Sequence, residues 1–125
     1  MAEPGLVVAI VDDEGEVGRA LTRLVRSLGH EAEAFTSGPA FLAWLRGLPR
    51  RAPDCVLLDI QMPDMSGFEV HRLVSRDHGA VRCIFITGSS DAAEIRRAAE
   101  QGAGLLRKPF NEEQLVAALR HATER

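Results

Sequence analysis

The chain is poor in the features that mark a specialised environment. Two of its 125 residues are cysteine, Cys55 and Cys83. Each sits inside an apolar run, Cys55-Val56-Leu57-Leu58 and Cys83-Ile84-Phe85-Ile86, where a free thiol behaves as a small hydrophobe. No CxxC spacing or adjacent histidine supports a disulfide or a metal pair, so both are read as core packing. No apolar stretch approaches the length of a membrane span, and the start Met1-Ala2-Glu3-Pro4-Gly5 lacks the basic, then apolar profile of a secretory signal. A cytoplasmic location and no membrane partner are expected. An excess of positive charge is also missing: the net charge is -3, whereas a phosphate-tracking surface needs clustered Lys and Arg, so nucleic-acid binding by this domain alone is disfavoured. Scarcest of all is lysine. Lys108 is the only one among fifteen basic side chains. An ammonium is a compact point charge that suits a crowded phosphate site differently from a planar guanidinium. The bland alternative is a chance survivor of a codon bias.

What is present is the balance of an ordinary globular domain: 46% hydrophobic and 26% charged residues, enough apolar surface for a core. One domain over 1–125 is expected, structured over about 5–124. Leu6 to Val11 is a continuous apolar run ending in acids, the pattern of a strand buried on both faces of a parallel sheet. Val17, Leu21, Leu24, Val25 and Leu28 then recur at helical spacing, and Gly29 ends the helix. Glu31 to Phe35 reads as an edge strand. Ser37 caps a helix with Phe41, Leu42, Leu45 and Leu48 on its apolar face, and 48–53 reads as a loop.

Asp54 to Leu58 is a second apolar strand that ends in an acid, Asp59. Ser66-Gly-Phe-Glu69 has capping-box spacing ahead of Val70, Leu73 and Val74. Cys83 to Ile86 leads to Thr87-Gly88, then to a helix capped by Ser90 or Asp91 with Ile95, Ala98 and Ala99 inward, stopped by Gly102. A short strand from Gly104 to Leu106 precedes Lys108-Pro109, and Asn111 caps a last helix carrying Leu115, Ala118, Leu119 and Ala122. Strand and helix alternate five times with short connections. That predicts an α/β fold, a doubly wound five-stranded parallel sheet with five helices.

In such sheets a site forms beyond the carboxyl ends of the strands, and the polar residues of interest fall there: Asp12 and Asp13 after the first strand, Asp59, Thr87 and Lys108 after the third, fourth and fifth. Carboxylates gathered in one crevice repel, so one should have its pKa raised unless a cation joins them. Oxygen donors without His or Cys suit a hard ion, Mg²⁺ first and Mn²⁺ as a substitute. A carboxylate can attack phosphorus to form an acyl phosphate when cations neutralise the transferring oxygens. Asp59 stands where it could do so, with Lys108 as a point charge and Thr87 as a hydroxyl donor to the bound group.

The segments Val11-Asp12-Asp13-Glu14, Leu57-Leu58-Asp59-Ile60-Gln61-Met62-Pro63-Asp64-Met65-Ser66-Gly67, Ile86-Thr87-Gly88 and Lys108-Pro109-Phe110 together resemble the receiver domain of bacterial two-component response regulators. The resemblance spans nearly the whole chain, and four motifs in the family's order are far more specific than any one. It implies a flavodoxin-like sheet with strand order 2-1-3-4-5, and a phosphorylation-activated signalling switch rather than an enzyme with outside substrates. Asp59 would be the phosphoacceptor, Asp13 a direct metal ligand, Asp12 an acid acting on the metal partly through water, and Gln61 a ligand through its backbone carbonyl. Thr87 and Lys108 would bind the phosphoryl group. Glu14, Pro63, Gly67 and Gly88 support the site, Gly67 as a turn glycine, and the peptide before Pro109 would be cis. A sensor histidine kinase or phosphotransfer protein would supply the phosphoryl group. Output would pass through the face of the fourth helix, fifth strand and fifth helix to an effector or to a second copy. One departure concerns that output: the family often has Tyr or Phe three residues before the lysine, and here the position is Leu105. Gln61 and Ser89 stand where the family varies its dephosphorylation rate.

Each residue also has a plainer reading. Asp12 and Asp13 could cap the first helix, Asp59 could open a turn, and Thr87 could end a strand. His30, His71, His78 and His121 are read as solvated, and Phe41 and Trp44 as packing. Two other functions compete. An aspartate-nucleophile phosphatase usually needs a second acid two residues after the nucleophile, where this chain has Gln61. A constitutive protein-binding receiver-like module would be expected to have lost part of the acid and lysine set, and this chain keeps it.

Overall fold

The computed structural model describes residues 5–47, 52–101 and 103–124. Strand and helix alternate as the sequence predicts: β1 (Val7–Val11), α1 (Gly15–Ser27), β2 (Glu31–Phe35), α2 (Gly38–Arg46), β3 (Cys55–Asp59), α3 (Gly67–Asp77), β4 (Arg82–Thr87), α4 (Ala92–Glu100), β5 (Gly104–Arg107) and α5 (Glu112–Thr123). All neighbouring strands pair parallel, in the order β2-β1-β3-β4-β5. Leu48 and Gly102, read as a helix-face residue and a helix stop, lie outside the described residues, as does most of the 48–53 loop.

The side-chain alternation of a strand sorts β1, β3 and β4 onto two faces. Ala9, Val11, Val56, Leu58, Cys83 and Phe85 pack with α2, α3 and Ala98 of α4. Val8, Ile10, Cys55, Leu57, Ile84 and Ile86 pack with α1 and α5. Cys55 and Cys83 thus face opposite sides of the sheet, free and buried, which removes the disulfide alternative. Desolvation pushes both thiols up to about 12, with the charge of Asp54 adding at Cys55.

Helix starts follow local chemistry. Ser37 accepts from Ala40 N–H, Asp91 from Ala93 N–H, and Asn111 from Gln114 N–H. Gly29 follows α1 at φ +93°, a region that glycine enters at little cost. Some expectations change. The Ser66 hydroxyl accepts from Glu69 N–H, but the reciprocal capping box forms at Asn111 and Gln114 instead. Of the inward face predicted for α4, Ala98 is buried, Ile95 is half-buried and Ala99 is exposed, because the short helix touches the sheet along a narrow line. Two histidines are not simply solvated. His30 Nδ1 accepts from Leu6 N–H at 3.0 Å. His71 meets Gln101 at 2.6 Å and sets its ring edgewise to Phe85.

Candidate phosphoacceptor and metal site

The sheet ladder itself carries the site residues past the strand ends. Asp12 N–H donates to Phe35 O, Ile60 N–H to Ile86 O, and Lys108 N–H to Thr87 O. Asp12, Asp59, Thr87 and Lys108 are therefore held by backbone hydrogen bonds within one crevice, above the point where the connections leave opposite faces of the sheet. Asp12 is 1% exposed, Asp59 5% and Thr87 1%, while Asp13 at the rim is exposed. Carboxylate oxygens of Asp12, Asp13 and Asp59 lie within 4.8 Å of one another.

Lys108 reaches across the crevice. Its Nζ is 3.1 Å from Asp12 Oδ2, 3.9 Å from Asp59 Oδ1 and 4.0 Å from Glu14 Oε1. Burial alone would lower the ammonium's pKa, but the Asp12 hydrogen bond and the charges of Asp59, Asp12 and Glu14 win, so the pKa rises. Asp59 moves against the usual direction for a carboxylate. Desolvation raises it, then the charge of Asp12 and the hydrogen bond and charge of Asp13; Lys108 opposes them, and the result is about 7. An acid raised this far by burial and then by like-charged neighbours is one that a bound cation would relieve. Three hard oxygen donors with no nitrogen or sulfur suit Mg²⁺, so the residues present fit the expected ion.

The supporting residues divide. Glu14 caps α1 without a side-chain bond; its N–H donates to Asp12 Oδ1 at 2.9 Å, so Asp12 also serves the helix start. Gly67 is not a left-handed turn residue. A Cβ there would meet Asp59 O at 2.4 Å and Ile60 Cα at 2.9 Å, and its N–H donates to Ile60 O, so its need is close backbone approach beside Asp59. Gly88 is under no such pressure, its Cβ position lying 4.0 Å from Lys108 Cδ. Pro63 is exposed in the β3–α3 connection, and Lys108–Pro109 is cis. Leu105 is half-buried against the core face shared by α2 and α3.

Glu94, in the first turn of α4, was not among the residues singled out in the sequence. Its Oε1 accepts from Thr87 Oγ1 at 3.2 Å and its Oε2 from Gln61 Nε2 at 3.1 Å. Thr87 Oγ1 accepts in turn from Ser89 N–H. The only local signal, an acid three residues after the Asp91 cap, reads as a capping box and so points the wrong way.

A profile of the response regulator receiver domain matches residues 8–120. The response regulator protein TodT of Pseudomonas putida strain F1 is 38% identical over 123 residues, 98% of this chain and 53% of TodT. This chain thus spans about half the length of that relative. A response regulator receiver protein from Burkholderia phymatum is 44% identical with a TM-score of 0.84, covering 94% of each chain. The BeF3-activated DrrB receiver domain is 29% identical with a TM-score of 0.83, covering 97% of this chain and 99% of its own. The acidic crevice, Lys108 and the 2-1-3-4-5 sheet agree with these likenesses, and the chain belongs to the response regulator receiver domain family of two-component systems.

Proposed function

We propose that Asp59 accepts a phosphoryl group from a phosphohistidine of a sensor histidine kinase or phosphotransfer protein, and that the acyl phosphate switches the domain's output. The observation that carries this reading is the convergence of the Asp12, Asp13 and Asp59 oxygens within 4.8 Å beside the Lys108 ammonium. In the transfer an Asp59 oxygen bonds to phosphorus as the phosphorus–nitrogen bond breaks. The bonding pair stays on the imidazole nitrogen, and a proton carried by the other ring nitrogen lets the imidazole leave neutral. Asp59 must be ionised to attack, and Lys108 favours that form. Mg²⁺, or Mn²⁺ in its place, would be held by Asp12, Asp13, Asp59 and the Gln61 backbone carbonyl, and supplies charge neutralisation to the transferring oxygens. Lys108 then pairs with one phosphoryl oxygen, and the Thr87 hydroxyl donates to another. The domain acts on itself, catalysing its own phosphorylation and slow dephosphorylation. The phosphorylated form signals through α4, β5 and α5 to an effector or to a second copy. The BeF3-activated state of the similar DrrB receiver domain supports this reading.

The test is to incubate the protein with Mg²⁺ and a phosphoramidate donor and to follow its intact mass. The parent gains one phosphoryl group, and Asp59→Asn gains none. No gain in the parent, or an equal gain in Asp59→Asn, overturns the proposal.

A further inference from the structure

Glu94 is the one side chain on α4 that reaches the phosphoacceptor crevice by hydrogen bonds, among the described residues. It holds two groups from different elements: the hydroxyl of Thr87 at the end of β4, and the exposed amide of Gln61 two residues beyond Asp59. The Thr87 hydroxyl is a donor with a single hydrogen, so it cannot serve Glu94 and a phosphoryl oxygen together. Any turn of Thr87 toward a group on Asp59 must first break the 3.2 Å bond to Glu94.

The helix that would feel this break is lightly held. Ala98 is the only buried residue of α4. Beyond it the helix leans on half-buried Ile95 and on Arg97, whose guanidinium carbon sits 4.2 Å from the Phe68 ring centroid. With Leu105 at the β5 position, no ring is available there to report the movement of Thr87. Besides the short segment 88–91 that joins them, the Glu94 carboxylate is the side-chain link between Thr87 and α4.

We propose that Glu94 is the positioning residue that couples the crevice to α4, clasping Thr87 and Gln61 before phosphorylation and letting go of Thr87 afterwards. This rests on the reading of Asp59 as phosphoacceptor. The clasp resists phosphorylation, because the hydroxyl it holds is one the acyl phosphate needs. Its release removes a tether from the first turn of α4, so the signal leaves through the helix rather than through an aromatic side chain of β5.

The experiment compares the parent, Glu94→Ala and Glu94→Gln, each also in a Thr87→Ala background, with Mg²⁺ and a phosphoramidate donor. One hydrogen bond of ordinary net worth corresponds to about a fivefold effect, so Glu94→Ala is phosphorylated about fivefold faster than the parent. Glu94→Gln falls between, its amide oxygen still accepting from Thr87. In the Thr87→Ala background the acceleration disappears, which separates coupling from a general loosening of α4. An unchanged rate in Glu94→Ala, or the same acceleration without Thr87, overturns the clasp. Hydrogen exchange decides it independently of any phosphodonor. Amides in the first turn of α4 exchange about fivefold faster in Glu94→Ala than in the parent, and this gain shrinks in the Thr87→Ala background, where only the Gln61 bond is left to lose. Equal exchange in parent and variant overturns the clasp. A parent that takes no phosphoryl group overturns the role of Asp59, and the exchange comparison then still reads the clasp.

Discussion

An aspartate paired on a surface keeps its pKa near or below the ordinary carboxylate value, whereas Asp59, buried beside Asp12 and Asp13, is raised to about 7. The sign of the stability effect follows. Between about pH 4 and 7 the folded protein binds a proton at Asp59 that the unfolded chain releases, so stability falls as pH rises through this window. Above about pH 7 the full cost is present, roughly 2–4 kcal/mol for a shift of this size. Asp59→Asn removes it. Urea unfolding in a chelator is expected to show the parent losing stability from pH 5 to 8 relative to Asp59→Asn, with the variant the more stable at pH 8. Parallel profiles for the two proteins would mean that the crevice does not strain Asp59. The acids that create this effect were legible in the sequence because each ends an apolar run. Glu94 was not, because its partners lie 7 and 33 residues away and only the fold brings a helix start against two strand ends.

Elements were legible where one local rule decided them. Asn111 shows why: its side chain accepts from Gln114 N–H while Gln114 Oε1 accepts from Asn111 N–H, both at 2.8 Å. Four residues thus specify the start of α5, which buries Leu115 and Leu119 against β4 and β5. Replacing Asn111 with Ala leaves the N3 donor to water and costs about 1 kcal/mol. Thermal unfolding of Asn111→Ala should show that loss, and an unchanged midpoint would mean the capping box adds nothing to α5. The inward face of α4 was less legible. Its alanines are spaced for a broad apolar face, but the helix rests on Ala98, and which small residue touches the sheet depends on the rotation that packing imposes. Gly67 is similar. Its motif marked it, yet its reason is the carbonyl of Asp59, where a Cβ has no room.

At the scale of the whole molecule, the winding of the chain turns local charges into a site. Starting at β1, the chain adds β2 on one side and β3, β4 and β5 on the other. The loops after β1 and β3 therefore open onto one crevice, and Asp12, Asp13 and Asp59 meet although 46 residues separate Asp13 from Asp59 in the numbering. Folding must bring these like charges together with the Lys108 ammonium offsetting only part of their repulsion, so part of the core's stabilisation works against it. A ligand that binds only the folded arrangement returns that energy. At a hundredfold excess over its dissociation constant an ion adds about 2.7 kcal/mol, which for a domain of this size moves the midpoint on the order of 10 °C. Thermal unfolding near pH 8 with and without excess Mg²⁺ should show this rise in the parent. Asp59→Asn, with two of the three carboxylates left and less repulsion to relieve, should show a smaller one. Equal rises in both proteins would place the ion elsewhere on the acidic surface, and no rise in the parent would remove the metal from the crevice.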